Sequence, residues 1–545
     1  MLARRVEDDQ IRDLARRELG FSGLRPGQGE AVCAVVAGRD VLVVLPTGSG
    51  KSAIYQLAGA LLGGVTVVVS PLIALQRDQV SFIGDRLGGA AELNSMMTDH
   101  QRADVLNALK TGAVRFVFVA PEQLANAETR GALAAVCPRL VVVDEAHCIT
   151  SWGHDFRPEY LRLSEFIEAL GGPGVLALTA TASPPIRREI VERLRLRDPL
   201  EVVRGFFRPN IHLSVSTAPD LAAVREGLLD AATKANGTGL VYVATQVESE
   251  ELVAELGERG CQAAAYHAGL HAAERAVVHE RFLATEPIVV VATTAFGMGI
   301  DAPHVRFVLH ADPPESLDAY YQEFGRAGRD GQSAWARLFH RTADPGARRF
   351  FAGTAEASAA ELQLVAEEVH KAGQLDLQIL AQRLEVFPTR LTILVDLLKQ
   401  CGAVEAGGDG TVTWRSGTPS PRAAAASAVA AQEAYRAAER TRTEMMRHYL
   451  ETSSCRWRSV LAYFGQPVEE DCGRCDRCDA GGSASQGAGP TDLGFALGSR
   501  VRHGEWGEGQ VIAFEADTMT VLFDEGGYRT LSVALVAANG LLEAV

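Results

Sequence analysis

Two short stretches far apart in the chain carry residue types that together could bind and hydrolyse a nucleoside triphosphate. The first is Asp40 to Gln56, DVLVVLPTGSGKSAIYQ, where an apolar run stops at Pro46 and opens into a loop ending in Lys51 and Ser52. Gly48 and Gly50 let successive backbone N–H groups turn inward, and a following helix N-terminus adds positive potential. Lys51 neutralises phosphate oxygens, and Ser52 can ligate magnesium. The strict phosphate-loop pattern wants glycine where Leu45 stands, so a plain Gly/Ser turn between a strand and a helix is the alternative. The second stretch is RLVVVDEAHCI, in which Asp144 and Glu145 end an apolar run. Adjacent carboxylates facing a phosphate loop allow Asp144 to hold magnesium through water while Glu145 polarises the attacking water. Two carboxylates at the end of a buried strand are hard to explain structurally. Upstream, Arg25 and Gln28 lie in FSGLRPGQGEAV. A Gln side chain can donate to and accept from the Hoogsteen edge of adenine, while a helix-start turn with Pro26 near its first residue is the alternative.

A third group is metal-binding in type. Cys33, Cys137, Cys148, Cys261 and Cys401 are scattered, whereas Cys455, Cys472, Cys475 and Cys478 gather in CRWRSVLAYFGQPVEEDCGRCDRC. Two cysteines on one knuckle plus two more within reach give the closed tetrahedral thiolate set that structural zinc prefers. An iron–sulfur cluster also uses four cysteines. This usage points to metal rather than disulfides.

The elements that must hold these groups follow from the apolar pattern. After the loop, TVVVSPLIALQRDQV, RFVFVAPEQL and RLVVVDEAHCI alternate strand-like and helix-like runs. Such βα alternation implies a parallel sheet covered by helices, with ligands at the carboxyl ends of its strands. GLVYVAT, CQAAAYHAG, PIVVVATT and VRFVLHAD repeat the alternation without a second phosphate loop.

The motifs PTGSGKS, VVVDEAH, ALTATA (Ala177 to Ala182) and YYQEFGRAGRDG (Tyr320 to Gly331) resemble, in this order, those of superfamily-two helicases. More narrowly, CITSWGHDFRPEY (Cys148 to Tyr160), AYHAGL and ATTAFGMGID resemble the RecQ family of DNA helicases, over roughly residues 15 to 345. The resemblance implies two RecA-like lobes with ATP between them, the second beginning near Gly205. It assigns Thr47, Gly48, Ser49, Gly50, Lys51, Ser52 and Asp301 to the nucleotide together with Arg25 and Gln28, and His147 and Gln322 to catalysis. Arg326 and Arg329 are then the candidates to reach across the cleft, with Arg329 chosen as the arginine finger. DNA contacts are expected from Pro71, Gln76, His267 and Thr293, and from Trp152, Phe156 and Arg157. In that last loop aromatic faces and a guanidinium can stack on unpaired bases, and a buried aromatic cluster is the alternative. The zinc module of the family, including Tyr463-Phe464-Gly465, favours zinc over iron–sulfur.

The expected fold is α/β, with two RecA-like parallel-sheet lobes at 1–203 and 204–345. A winged-helix-like module follows at 356–416, then a helical zinc-binding module at 423–480, a flexible linker at 481–492 and a small β-barrel at 493–545. The winged-helix-like module comes before the cysteines, whereas the family places it after them. Glu356 to Arg415 contains five basic and nine acidic residues, and the hairpin tip Gly407 to Gly410 carries no aromatic wedge. The module is therefore a poor generic DNA clamp. SGTPSPRAAAASAVA, Ser416 to Ala430, reads as a linker into a long helix. The last segment, with its G-x-x-V-x-H-x-x-W-G-x-G-x-V core from Gly498 to Val511, resembles the Tudor-like barrel of some superfamily-one helicases and of proteins that touch RNA polymerase. Three arginines against seven acidic residues in Gly494 to Val545 favour protein docking over nucleic acid there, with packing on the zinc module as the alternative.

A chain of 545 residues needs several cores. The formal charge of −15 counts against a passive nucleic-acid binder. It counts less against a motor gripping DNA through backbone amides and a few local cations. No stretch reads as a membrane span. The charged amphipathic N-terminus argues against export and for the cytoplasm. The expected partners are single-stranded and tailed or branched duplex DNA, a protein such as RNA polymerase, and no membrane. The expected cofactors are ATP, Mg2+ and Zn2+. An RNA remodeller, or a DNA-stimulated ATPase serving recruitment or strand annealing, is the rival reading.

Overall fold

The computed structural model describes residues 8–71, 73–84, 86–150, 160, 163–284, 286–294, 296, 302–341, 357–406, 410–415, 417–418, 420–466, 468, 470–481, 494–515, 517–524 and 526–545. Trp152, Phe156, Arg157, Asp301, most of the hairpin tip at 407–410 and all but the first residue of the expected linker at 481–492 lie outside them. The described chain forms two compact units, residues 1–343 with 444–545, and residues 344–443.

In the first unit, seven parallel strands lie in the order Ala90–Leu93, Phe116–Val119, Thr66–Val69, Leu140–Val143, Gly174–Thr179, Val41–Val44 and Leu200–Val203. The inner strands are buried at every position but Gly174, and apolar except for Thr66 and Thr179, because helices cover both faces. Leu42, Val44, Val141 and Val143 enter one core, while Val41, Val43, Leu140 and Val142 enter the other, as the two-residue period requires. A second parallel sheet of six strands runs Ala263–Tyr266, Val289–Ala292, Thr238–Tyr242, Val305–His310, Ala334–Arg341 and Ile211–Ala218.

The cysteine region covers the open edge of this second sheet. Leu213 N–H donates to the Arg474 carbonyl at 3.3 Å, and Val215 N–H donates to Asp476 at 3.1 Å. The indole N–H of Trp457 donates to the Ile211 carbonyl at 3.1 Å. An edge strand left bare would present these groups to other chains.

Residues 500–544 form a five-stranded antiparallel sheet, ordered Gly527–Ser532, Thr518–Phe523, Gly507–Glu515, Arg500–His503 and Leu542–Ala544. The flexible linker leads one to expect a unit that moves by itself, and the packing is otherwise. Ile512, Leu522 and Tyr528 belong to the same buried core as the lobes and the cysteine region. Tyr528 stacks on Tyr463, and Asp524 pairs with Arg188 at 3.2 Å.

The second unit runs helix Ala359–Ala372, strand Gln374–Asp376, helices Leu377–Leu384 and Pro388–Gln400, and strands Val404–Ala406 and Thr411–Trp414. Thr411–Trp414 lies antiparallel between the other two strands. This is the order of a winged helix. Ser358 and Glu361 close the first helix with a capping box. The expected linker Ser416–Ala430 is largely helix, because Pro421 opens a 31-residue helix reaching Glu451. Proline at the first helical turn and a run of alanines favour that outcome over coil.

Candidate nucleotide site and cysteine cluster

The loop between Val41–Val44 and the helix Lys51–Leu62 turns on Gly48 and Gly50, at φ 77° and 76°. Both values are left-handed, where a Cβ is disfavoured. A Cβ at Gly50 would also lie 2.8 Å from Gln28 Nε2. The Thr47 and Ser49 hydroxyls are buried without a protein hydrogen-bond partner, and buried polar groups in this condition suit a polar ligand. Lys51 Nζ donates to the Leu45 carbonyl at 3.1 Å.

Gln28 is placed differently from the adenine reading. Its amide N–H groups donate to the Ser49 and Gly50 carbonyls at 3.0 and 2.9 Å, and its Oε1 accepts from Arg25 N–H at 2.8 Å. The Arg25 guanidinium donates to the Gly48 carbonyl. Both residues therefore brace the loop.

Asp144 and Glu145 come directly after Leu140–Val143. Asp144 accepts from Ser70 Oγ at 3.3 Å; burial raises its pKa above the ordinary carboxylate range, and the Lys51 charge opposes that rise. Glu145 sits at φ 48°, a strained conformation for a residue with a side chain. Its Oε2 lies 3.4 Å from His147 Nδ1, which is 2.9 Å from Thr179 Oγ1. Thr179 Oγ1 in turn accepts from Thr181 N–H at 3.2 Å. His147 thus joins the carboxylate to ALTATA. Ser52 follows Lys51 in the first turn of its helix, and the buried Tyr55 hydroxyl on the next turn donates to Gln79 at 2.8 Å. Ser52 and Asp144 are oxygen donors of the kind magnesium takes.

From the second sheet, the Arg329 stem packs on the phosphate loop. A Cβ at Gly48 would lie 3.4 Å from Arg329 Cγ and Cδ. Arg326 is buried beside Tyr242, whose phenol burial pushes up to about 12 against the nearby Arg326 charge. Gln322 lies buried on the helix Leu317–Phe324. The structure thus brings Lys51, Asp144, Glu145, His147 and Arg329 toward one place.

The expected DNA contacts divide. Gln76 is fully buried and donates to the Ser70 carbonyl at 2.8 Å, so it holds the turn at Pro71 and has no exposed surface for a base. His267 is buried with Nε2 3.1 Å from Glu250. Pro71 and Thr293 are half-buried, and Thr293 N–H donates to the Tyr266 carbonyl at 3.3 Å.

Two residues in the site escaped sequence reasoning. Arg208 donates to the carbonyls of Gly325, Ala327 and Gly328 at 3.2, 3.0 and 2.9 Å, and Asn210 donates to Gly328 and Gln332 at 2.7 and 2.9 Å. Together they fix the turn between Arg326 and Arg329. Their only sequence signal is a polar RPN interrupting the second sheet's approach.

The Sγ atoms of Cys455, Cys472, Cys475 and Cys478 all lie within 4.8 Å of one another. Backbone N–H groups of Cys472, Arg456 and Arg474 point at three of these sulfurs at 3.2–3.4 Å. That is the outer support thiolate ligands need, and the set fits a tetrahedral metal. Arg456 is buried and makes a two-pronged pair with Asp476 at 3.0 and 3.2 Å.

Comparison with known proteins gives three family models along the chain. They are DEAD/DEAH box helicase at residues 25–188, helicase conserved C-terminal domain at 221–331, and RecQ zinc-binding at 421–479. A probable ATP-dependent DNA helicase RecS of Bacillus subtilis (strain 168) is 37% identical over 327 residues, 60% of this chain and 66% of that protein. ATP-dependent DNA helicase Q5 of Rattus norvegicus is 39% identical over 350 residues, 61% of this chain and 36% of that protein. The chain therefore spans between about a third and two thirds of these relatives. Among solved structures, the DUF1998 helicase MrfA bound to DNA and AMPPNP matches with TM-score 0.54 at 19% identity, covering 76% of this chain and 63% of that one. At that identity it shows the fold alone. No helix among the described residues is long and apolar enough to cross a membrane.

Proposed function

We propose that the chain is a member of the RecQ family of superfamily-two helicases and uses ATP hydrolysis to move 3′ to 5′ along single-stranded DNA and to separate duplex ahead of it, in DNA repair or recombination. The observation that carries this reading is the approach of Arg329 from one parallel sheet to the phosphate loop of the other. A site assembled from both sheets changes when they move, so closure and hydrolysis are coupled. Lys51 binds phosphate oxygens, Glu145 orients the attacking water with His147 beside it, and Arg329 stabilises charge across the cleft. Ser52 and Asp144 would hold magnesium, which supplies further charge neutralisation on the phosphates. The four cysteines hold structural zinc. Pro71 and Thr293 with the Trp152, Phe156 and Arg157 loop face DNA. The proposed divisions remain 1–203, 204–345, 356–416, 423–480 and 493–545.

A DNA-stimulated ATPase with little unwinding is favoured by one observation, the nine acidic against five basic residues of Glu356 to Arg415. A strand-displacement assay on a 3′-tailed duplex, beside 5′-tailed and RNA duplexes, separates the readings. Displacement of the 3′-tailed DNA alone supports the helicase; ATPase stimulation without displacement supports the rival, and displacement of RNA supports a remodeller. In the same assay Trp152→Ala should retain basal ATPase and lose stimulation by single strands. Docking of RNA polymerase by residues 494–545 rests on the Tudor-like resemblance, and a pull-down with and without them tests it.

A further inference from the structure

The segment Tyr463-Phe464-Gly465 sits where three parts of the first unit meet. Tyr463 OH donates to Asp318 in the first turn of the helix Leu317–Phe324 of the second lobe. Phe464 stacks on Phe206 of the interlobe segment, with ring centroids 4.3 Å apart and planes 6° from parallel. Gly465 lies so close to the first lobe that a Cβ there would be 2.7 Å from Pro184, in the helix Pro184–Arg193 that comes after ALTATA. The segment is therefore a wedge between a helix leaving the Thr179–Thr181 turn and the helix leading to Arg326 and Arg329.

The C-terminal sheet closes on this wedge from outside. Tyr528, fully buried, donates its OH to the Tyr463 carbonyl at 2.5 Å. That carbonyl ends the helix Arg456–Tyr463, so it has no partner within its own helix. The two tyrosine rings stack with centroids 5.0 Å apart and planes 19° from parallel. Asp318 of the second lobe and Ser183 of the first both act on the Tyr528 phenol. Asp524 of the same sheet pairs with Arg188 of the first lobe at 3.2 Å.

We propose that Tyr528 is a positioning residue for ATP turnover, holding Tyr463 on Asp318 so that the helix Leu317–Phe324 presents Arg326 and Arg329 to the phosphate loop. The inference rests on the proposed helicase reading. Tyr528 touches neither nucleotide nor DNA residues; it acts through the wedge. Loss of its hydroxyl changes how often the arginines reach their place while leaving the phosphate loop and its affinity intact, so the effect falls on kcat rather than KM.

The test is steady-state ATPase of the full chain with saturating single-stranded DNA, comparing wild type, Tyr528→Phe, Asp318→Ala and the double variant, with the thermal midpoint of each. Tyr528→Phe keeps the ring stack and removes only the donor. The expected result is a kcat reduced roughly fivefold or more with KM for ATP within about twofold, and a double variant no slower than the slower single one, since both act on one chain of contacts. A lowered thermal midpoint with unchanged kcat, or a double variant in which the two losses multiply, overturns the proposal. A wild-type chain without ATPase activity overturns the helicase reading and this inference with it, whereas an active wild type matched by Tyr528→Phe overturns this inference alone.

Discussion

Lys51 and Glu145 do different work on the proposed assignment, and substitution should separate them. Lys51→Ala removes the cation beside Asp144 and the phosphate oxygens, so nucleotide binding and turnover should fall together, turnover by roughly a hundredfold or more. Glu145→Gln keeps the shape and the contact toward His147. Fluorescent-nucleotide binding should therefore stay near wild type while hydrolysis is lost; equal weakening of binding would place Glu145 elsewhere. Arg208→Ala withdraws three hydrogen bonds from the turn carrying Arg326 and Arg329. A shift of that turn by about an ångström should cost roughly ten- to a hundredfold in kcat with little change in nucleotide affinity. The loop and the carboxylates were legible because each is a local pattern at a strand end. Arg208 and Asn210 were not, because their partners lie far along the chain. Gln28 was given a ligand contact on residue type, and Gln76 and His267 on the family resemblance. In this structure Gln28 and Gln76 donate to neighbouring carbonyls, while His267 is buried with Nε2 3.1 Å from Glu250.

At the scale of elements, the cysteine region and the strand Ile211–Ala218 stabilise each other. On the proposed zinc assignment, thiolates held by the metal would fix Arg474 and Asp476, and these residues satisfy the backbone of an otherwise open edge. Cys475→Ser, or prolonged chelation, should therefore yield protein that is less soluble as well as zinc-poor, because the freed edge is a template for intermolecular pairing. Metal analysis of freshly purified protein should give one zinc per chain; an iron chromophore would refute the assignment. In the second unit, Glu361 is held down at about 2 chiefly by its hydrogen bonds from Arg390, with Ser358 adding to the effect. A depressed carboxylate contributes stability that is complete above its unfolded pKa and is lost as pH falls through the folded value. Glu361→Gln should lower protection of residues 359–372 in hydrogen exchange by about 1 kcal/mol at neutral pH, allowing for solvent screening. Toward pH 2 the two proteins should converge. The capping box could be read from S-A-A-E. The Arg390 partner could not, since it depends on how two helices pack.

For the molecule as a whole, two readings of the last fifty residues stood side by side, docking and packing, and a signal for packing was present in the strands themselves. A small sheet with one face on its own core alternates apolar and polar residues, yet Val511-Ile512 and Val521-Leu522-Phe523 are continuously apolar. Val511, Val521 and Phe523 fill the sheet's own core, while Ile512 and Leu522 turn the other way into the core shared with the lobes. Continuous apolar strands indicate burial on both faces, which a freely tethered unit does not provide. Linker composition spoke only for residues 482–492 and carried no information on the packing of the strands beyond them. Truncation after Asp479 tests the difference. It removes Ile512, Leu522 and Tyr528 from the common core and leaves Tyr463 and the Pro184–Arg193 helix exposed. Burial of each such side chain contributes about 2 kcal/mol, so the thermal midpoint should drop by roughly 5 °C or more, with lower ATPase and unwinding. A truncated chain that keeps full stability and full unwinding, and loses only the capture of a protein partner, would show the sheet to be a docking appendage after all.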